Sequence, residues 1–245
     1  MKRSIEWQIA TVKALRVETV DVKTLTLALP KWTAHRPGQH YDIRLTAEDG
    51  YSSQRSYSIA SEPERTGEID ITVERIGDGE VSPYLDDTVV VGDRFEVRGP
   101  IGGYFVWDGS IGGPLLLVAG GSGIVPLMAM LRHRAVAGVK DPARLLYSAR
   151  TYEQIIYGPE LEMLAKNNGL TVSYTLTRSQ PAGWKGYARR IDDAMLKDVS
   201  GPLGHDALAY ICGPTALVEV AADGLERVGL PADRIRTERF GPSGA

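Results

Sequence analysis

Cysteine is nearly absent from this chain: of 245 residues, only Cys212 carries a thiol. That excludes an intrachain disulfide. It also excludes an iron–sulfur cluster held by this chain alone, which needs about four thiolates. Histidine is scarce, and His35, His40, His133 and His205 are too scattered for metal-ligand spacing, so no metal is expected. No apolar run approaches the ~18 residues of a membrane-spanning helix. The longest candidate, Pro114 to Ala119, has the length of a strand. The start, Met1-Lys2-Arg3-Ser4, runs into Glu6 and polar alternation instead of an apolar signal core. A basic tract is missing and the net charge is −3, which argues against nucleic acid as a partner. A cytoplasmic protein with no membrane contact, and a monomer, is the expectation.

What is present is an ordinary globular composition, 43% hydrophobic and 24% charged, long enough for two medium domains with a core each. Up to about residue 109 the chain reads as β. Trp7 to Val12 and Val22 to Leu29 alternate polar and apolar residues. Further strands are expected over 39–45, 54–60, 68–76 and 93–98, mostly separated by turns such as Pro37-Gly38, Asp49-Gly50 and Gly77-Asp78-Gly79. Six short strands at this spacing predict a closed antiparallel barrel. A short helix is expected at 82–87, with Ser82 as N-cap and Pro83 at its first position. Gly99-Pro100-Ile101-Gly102-Gly103-Tyr104 should close the barrel with a tight turn.

The pattern changes after the Gly-rich stretch 109–113. Strands at 115–119, 144–149, 171–177, 207–211 and 235–240 alternate with helices to about 137 and around 159–167, 191–196 and 215–228. Such alternation predicts a parallel sheet covered on both faces. The expected fold is therefore an antiparallel six-stranded β-barrel over residues 1–109, followed by a doubly wound parallel-sheet nucleotide-binding domain over 110–245.

Several short motifs carry chemistry. Arg55-Ser56-Tyr57-Ser58 combines a phosphate-binding fork, a ring that can pack on a planar heterocycle and a hydroxyl. Alone, it equally describes an exposed strand with a surface arginine. If it is a site, strand alternation puts Arg55 and Tyr57 on one face and Ser58 on the other, so the strand must end or twist at Ser58. Gly79-Glu80-Val81-Ser82 is a turn offering backbone N–H groups and a hydroxyl to a phosphate. Gly121-Ser122-Gly123-Ile124-Val125-Pro126 follows an apolar strand and opens a helix, the context in which a diphosphate meets free N–H groups. Its terminal proline departs from the usual dinucleotide fingerprint. Arg150, at the end of the next strand, and Thr177, Arg178 and Lys185 further on stand where a site for NAD carries an acid. They suit a 2′-phosphate, hence NADPH, although solvated arginines would read the same. Cys212-Gly213-Pro214 ends a strand on the side where ligands bind such sheets.

Taken in order along nearly the whole chain, these motifs resemble the ferredoxin–NADP reductase superfamily, and within it the bacterial reductases that feed electrons to oxygenases. The tail Glu238-Arg239-Phe240 belongs to the same resemblance. The resemblance implies a flavin-binding barrel: Arg55 on the flavin phosphate, Tyr57 on the ring, Ser56 and Val73 within the site, and Ser58 near N5. It places Gly79, Val81 and Ser82 at the diphosphate. It implies NADP contacts at Gly121, Gly123, Pro126, Arg150, Thr177, Arg178, Lys185, Gly213 and Pro214. Cys212 would sit beside the nicotinamide, Glu238 would act as the acid and Phe240 would shield the flavin, with Ser58, Cys212 and Glu238 as the catalytic set. Phe240 stands where plant-type members end in tyrosine. The residues after it, Gly241 to Ala245, extend toward the adenine end of FAD in this reading.

The implied activity is oxidation of NADPH, with NADH left open, through bound FAD, expected ahead of FMN. Lacking iron–sulfur ligands, the chain would pass electrons to a separate acceptor: a ferredoxin, an oxygenase component or a haem protein. Two alternatives stay open, an NAD(P)H:flavin reductase whose flavin is a dissociable substrate, and a flavin-binding subunit without turnover.

Overall fold

A computed structural model describes residues 5–77 and 79–240. Asp78, from the expected turn, and Gly241–Ala245, expected near the adenine of FAD, lie outside the described residues. The chain divides into two compact units. One comprises residues up to 108 together with 128–133, the other 109–127 and the residues from 134 onward.

The first unit contains β1 (Gln8–Thr19), β2 (Val22–Ala28), β3 (His40–Thr46), β4 (Ser52–Ser58), β5 (Glu68–Glu74) and β6 (Arg94–Ile101). They form one antiparallel sheet in the order β4-β3-β6-β1-β2-β5. Six antiparallel strands were expected and are found. Period-two alternation builds the interior: Leu25 and Leu27 of β2 lie opposite Ile71 and Ile69 of β5, and all four are fully buried. Burying each such side chain contributes about 1.5–3 kcal/mol. β4 and β5 are the two ends of the sheet, and among the described residues they meet at the isolated bridge Ile59–Ile71.

Two local expectations are corrected. The short helix α1 (Val81–Pro83) starts before Ser82 and runs into a widened helical turn, Tyr84–Thr88. Ser82 caps nothing; its Oγ accepts from the Ile76 N–H at 3.1 Å, because that amide leaves β5 without a strand partner. Of the turn expected over Gly99 to Tyr104, Gly99, Pro100 and Ile101 belong to β6, and the chain bends only from Gly103. Arg98 stands opposite Asp42 and Ile101 opposite His40, so β6 holds one extra residue there, a bulge.

The second unit alternates β7 (Leu115–Gly120), α2 (Ile124–Val136), β8 (Ala143–Ala149), α3 (Gly158–Asn167), β9 (Leu170–Leu176), α4 (Asp193–Ser200), β10 (Leu208–Pro214), α5 (Thr215–Arg227) and β11 (Ile235–Phe240). The sheet is parallel throughout, in the order β11-β10-β7-β8-β9. Leu116 and Val118 point into a cluster with Met195, Leu196, Val218 and Leu225, while Leu115 and Leu117, on the opposite face, are equally buried. Burial on both faces is why β7 is apolar along its length. Helix α4 begins two residues later than 191 because Asp192 accepts from the Met195 N–H at 2.9 Å and sets the start. No helix among the described residues is long and apolar enough to cross a membrane.

Candidate functional site

In the first unit the site is built around β4. Cross-strand partners share a face, so the register decides where each side chain goes. Arg55 lies opposite Ile43 and Tyr57 opposite Tyr41, both fully buried residues of the core face. On a central strand Arg55 and Tyr57 would be interior; on this end strand they stay half-buried. The Tyr57 ring packs on the barrel core. Burial raises its hydroxyl pKa, against a lowering by the Arg55 charge, so it stays a neutral phenol.

Arg55 donates to the Gln54 carbonyl at 2.7 Å and forms no ion pair among the described residues. A half-buried guanidinium without a carboxylate partner is ready for an anion. Ser58 is the last residue of β4 and is buried. Immediately after it the Ile59 N–H donates to the Gln39 carbonyl at 2.9 Å, and Ile59 bridges Ile71 of β5. The strand thus ends where a ring touching Arg55, Tyr57 and Ser58 together requires it to end.

Ser56 does not join them. Its side chain is on the other face, donating to Asp42 Oδ1 at 2.6 Å while Arg98 holds Oδ2 at 2.7 Å. Burial pushes the Asp42 carboxyl up, but these bonds outweigh it and leave the pKa below its ordinary value. Val73 is fully buried within the core. Val81 is buried beside it in the same core, and Gly79 and Ser82 form the turn. A Cβ on Gly79 would come 3.2 Å from both the Ile76 carbonyl and Ser82 Oγ. Because Ser82 Oγ accepts from Ile76, its own hydrogen is left to donate. The residues present therefore fit a phosphate-bearing planar ligand: a cation, an aromatic wall and the Ser82 hydroxyl.

In the second unit, candidate residues gather at the carboxyl ends of the parallel strands, where such sheets bind ligands. β7 ends at Gly120, and Gly121–Gly123 makes a single turn before α2. Gly121 has φ +54°, which suits glycine. Gly123 is needed for space: a Cβ there would overlap the Cys212 carbonyl. Cys212 pairs with Ala119 of β7, and Gly213 packs on Gly120. Thus Gly121, Gly123 and Pro126 are brought together with Cys212, Gly213 and Pro214. On the other side, Cys212 pairs with Glu238 and Pro214 with Phe240. The Cys212 thiol is fully buried; burial first, and the Glu238 charge second, push its pKa well up and keep it protonated. Glu238 is half-buried and Phe240 is exposed at the end of β11.

The cationic residues converge at the ends of β8 and β9. The Arg178 N–H donates to the Arg150 carbonyl at 2.9 Å and the Thr177 N–H to the Ala149 carbonyl at 3.0 Å, so the two arginines are held side by side, both exposed. Lys185 is exposed on the loop that follows, which returns to pair Tyr187 with Thr175.

That loop is fastened by residues that motif reasoning missed. Trp184 Nε1 donates to the Tyr187 carbonyl at 3.0 Å, and its ring lies over Gly186. It meets Tyr152, two residues beyond Arg150, edge-on at 6.1 Å, and Tyr174 at 6.4 Å. Burial, first, pushes the Tyr174 hydroxyl up to about 12. A tryptophan in the polar turn segment Pro181-Ala182-Gly183 was the available signal.

Comparison with known proteins agrees with this arrangement. Residues 10–106 match the model of an oxidoreductase FAD-binding domain, and residues 117–223 that of an oxidoreductase NAD-binding domain. The chain is 26% identical, over 96% of its length and 69% of the relative's, to the ferredoxin–NAD(P)+ reductase component of a naphthalene 1,2-dioxygenase system from Pseudomonas putida. This chain belongs to the ferredoxin–NADP reductase superfamily. Another member similar to it is the reductase component of propane 2-monooxygenase from Rhodococcus jostii, 29% identical over 93% of this chain and 62% of that one. The chain spans 62–66% of the length of the first curated relatives it matches. Among solved superfamily structures, the flavohem-like FAD/NAD-binding domain of nitric oxide dioxygenase from Vibrio cholerae superposes with a TM-score of 0.82 at 25% identity, covering 96% of this chain and 99% of that one.

Proposed function

We propose that this superfamily member oxidises NADPH and passes the electrons through FAD to a separate electron-carrier or oxygenase protein. The observation that carries the proposal is that the FAD-binding unit has a half-buried Arg55 without an ion pair beside Tyr57, and the NAD-binding unit has a glycine turn and a cationic strand-end cluster. Bound FAD supplies the conversion of a two-electron hydride donor into single electrons.

The chain's own residues do the rest. Arg55 takes a flavin phosphate through its unpaired guanidinium, with Gly79, Val81 and Ser82 forming the turn beside the diphosphate. Tyr57 supplies the packing wall, and Ser58 presents its hydroxyl where β4 ends. Gly121, Gly123, Pro126, Gly213 and Pro214 give the nucleotide diphosphate a close backbone approach. Arg150, Thr177, Arg178 and Lys185 receive the 2′-phosphate. The acid nearby, Glu153, is turned to its own backbone N–H and the Thr151 hydroxyl, so it does not compete for that position. Cys212, kept as a neutral thiol, packs at the nicotinamide end without adding charge. Glu238, in register with Cys212, is the acid of the site, and Phe240, at the end of β11, is its aromatic. Holding donor and acceptor in reacting order is the main contribution a protein makes to such a transfer.

The test is steady-state kinetics of the protein as purified, with ferricyanide as acceptor and both nucleotides, together with identification of the released flavin. The expected result is a yellow protein releasing FAD, with kcat/KM for NADPH above that for NADH. A colourless protein that turns over only with added flavin would replace the proposal with the flavin-reductase alternative. A preference for NADH would remove the role given to the two arginines.

A further inference from the structure

β4 carries the flavin residues of the reading above, yet its own composition does little to hold it. Its sequence, Ser52-Ser53-Gln54-Arg55-Ser56-Tyr57-Ser58, has one aromatic and no aliphatic side chain, so the apolar pattern that anchors a strand to a core is almost missing. It is also an end strand, paired along its length with β3 alone. The hairpin turn, where the Ala47 N–H donates to the Tyr51 carbonyl at 2.8 Å, fixes only the start of the strand. Arg55, Tyr57 and Ser58 lie in its second half.

A row of three polar side chains crosses the sheet there. Ser56 stands directly opposite Asp42 of β3, and Asp42 directly opposite Arg98 of β6. The Asp42 carboxylate is buried, and both its oxygens are used: Oδ1 accepts from the Ser56 hydroxyl at 2.6 Å and Oδ2 from Arg98 Nη2 at 2.7 Å. Arg98 is itself seated, its guanidinium 4.7 Å from the centre of the Trp7 ring, which also carries Arg44 at 4.2 Å. Arg44 in turn donates to Glu96 at 2.8 Å. Hydrogen bonds to an ionised carboxylate are the stronger kind, and here they tie the end strand through β3 to β6. The β3–β6 pairing turns irregular between Asp42 and His40, so Asp42 is the last point at which β3 is regularly paired on both sides. Asp42 lies on the face away from Arg55 and Tyr57, so it acts on them through the backbone of β4. Resting on the FAD reading above, we propose that Asp42 is a positioning residue for flavin reduction: through Ser56 and Arg98 it fixes the second half of β4, and with it the guanidinium of Arg55, the ring of Tyr57 and the hydroxyl of Ser58.

The test uses FAD-loaded full-length protein and separates geometry from stability. Flavin reduction by NADPH is followed by stopped flow, the visible circular dichroism of the bound flavin reports its surroundings, and the melting temperature reports the fold. The variants are Ser56→Ala, Ser56→Thr and Asp42→Asn. Asp70→Asn is the matched control. Asp70 is also buried and also bridges a hydroxyl and an arginine, Thr26 at 2.7 Å and Arg65 at 2.8 Å, but it joins β5 to β2. Displacing a reacting group by about 1 Å can cost about a hundredfold in rate, so a partly loosened strand should slow reduction about tenfold in Ser56→Ala and Asp42→Asn. The dependence on NADPH concentration should stay the same, and the flavin dichroism should change. Ser56→Thr keeps the hydroxyl and should keep the unmutated rate. Asp70→Asn should lower the melting temperature at least as much as Ser56→Ala and leave rate and dichroism as they were. Unchanged reduction in Ser56→Ala, or slowing in Asp70→Asn equal to that in Asp42→Asn, overturns the positioning role. Unmutated protein that takes up no FAD, or whose FAD is not reduced by NADPH, overturns the FAD reading itself, and the positioning role with it.

Discussion

Replacing Gly123 with alanine probes the contact on which the second unit's nucleotide turn depends. The added Cβ would overlap the Cys212 carbonyl and come 2.8 Å from the Gly213 Cα, where ordinary contact is 3.4–4 Å. Both obstacles are backbone of β10, held in register between β7 and β11, so no side-chain rotation relieves them. Either the turn 121–123 or the end of β10 must shift by more than half an ångström. Overpacking of this kind costs roughly 1–3 kcal/mol, and a backbone obstacle places it near the upper value, about 3 kcal/mol. At roughly 2–4 °C per kcal/mol for a chain of this size, the second unit should melt about 6–12 °C lower.

Differential scanning calorimetry reads that shift, and fluorescence titration should show NADPH and NADH weakened by a similar factor, because the turn serves the diphosphate common to both. Flavin content should not change, since Arg55, Tyr57 and Ser58 belong to the other unit. Gly201→Ala is the control. Nothing lies within 4 Å of its added Cβ and its φ is already −49°, so stability should hold or rise by up to about 1 kcal/mol. A Gly123→Ala protein with unchanged melting and unchanged nucleotide affinity would refute the steric account and the placement of the nucleotide at this turn.

Three further outcomes are expected. Arg178→Ala should raise the KM for NADPH by about tenfold, one charge-assisted hydrogen bond at an exposed site, while that for NADH changes little; equal effects would remove the 2′-phosphate assignment. Ser58→Ala should slow flavin reduction in stopped-flow traces by about tenfold without weakening NADPH binding, and an unchanged rate counts against the hydroxyl. Cys212 makes stability depend on alkaline pH. Its folded pKa is raised by burial, so the folded state keeps a proton the unfolded chain releases near pH ~8.5. The stabilisation is complete below that pH and falls above it by up to about 1.4 kcal/mol per pH unit. Denaturant titrations from about pH 8.5 to 9.5, where tyrosines with an ordinary pKa of about 10 are still mostly protonated, should show this slope, and Cys212→Ala should reduce it.

Much of the architecture follows from local patterns. Leu25 and Leu27 alternate with polar neighbours because one face of their strand meets a core, and Leu115 to Gly120 lacks alternation because both faces do. Such periodicity is visible to a reader who knows only neighbouring residues, as are turn glycines and a phosphate-type loop, and the two-part fold comes from them. Strand order along the chain and the family membership are likewise legible without coordinates.

What distant parts of the chain do to each other is not legible in this way. Ser56 sits between Arg55 and Tyr57 in sequence, yet register with β3 turns it to Asp42 and Arg98 on the opposite face. Ser82 looks like a cap, but the Ile76 amide claims its hydroxyl. Gly123 reads as conformational freedom, whereas the space it leaves is taken by the Cys212 carbonyl of β10. Trp184 and Tyr152 fasten two loops that no spacing rule connects. Local patterning settles which elements exist and which residue types are available for phosphate and ring binding. Which of them share a face depends on long-range pairing, because hydrogen bonds between strands and close backbone contacts set the register, and one step of register reverses every side chain.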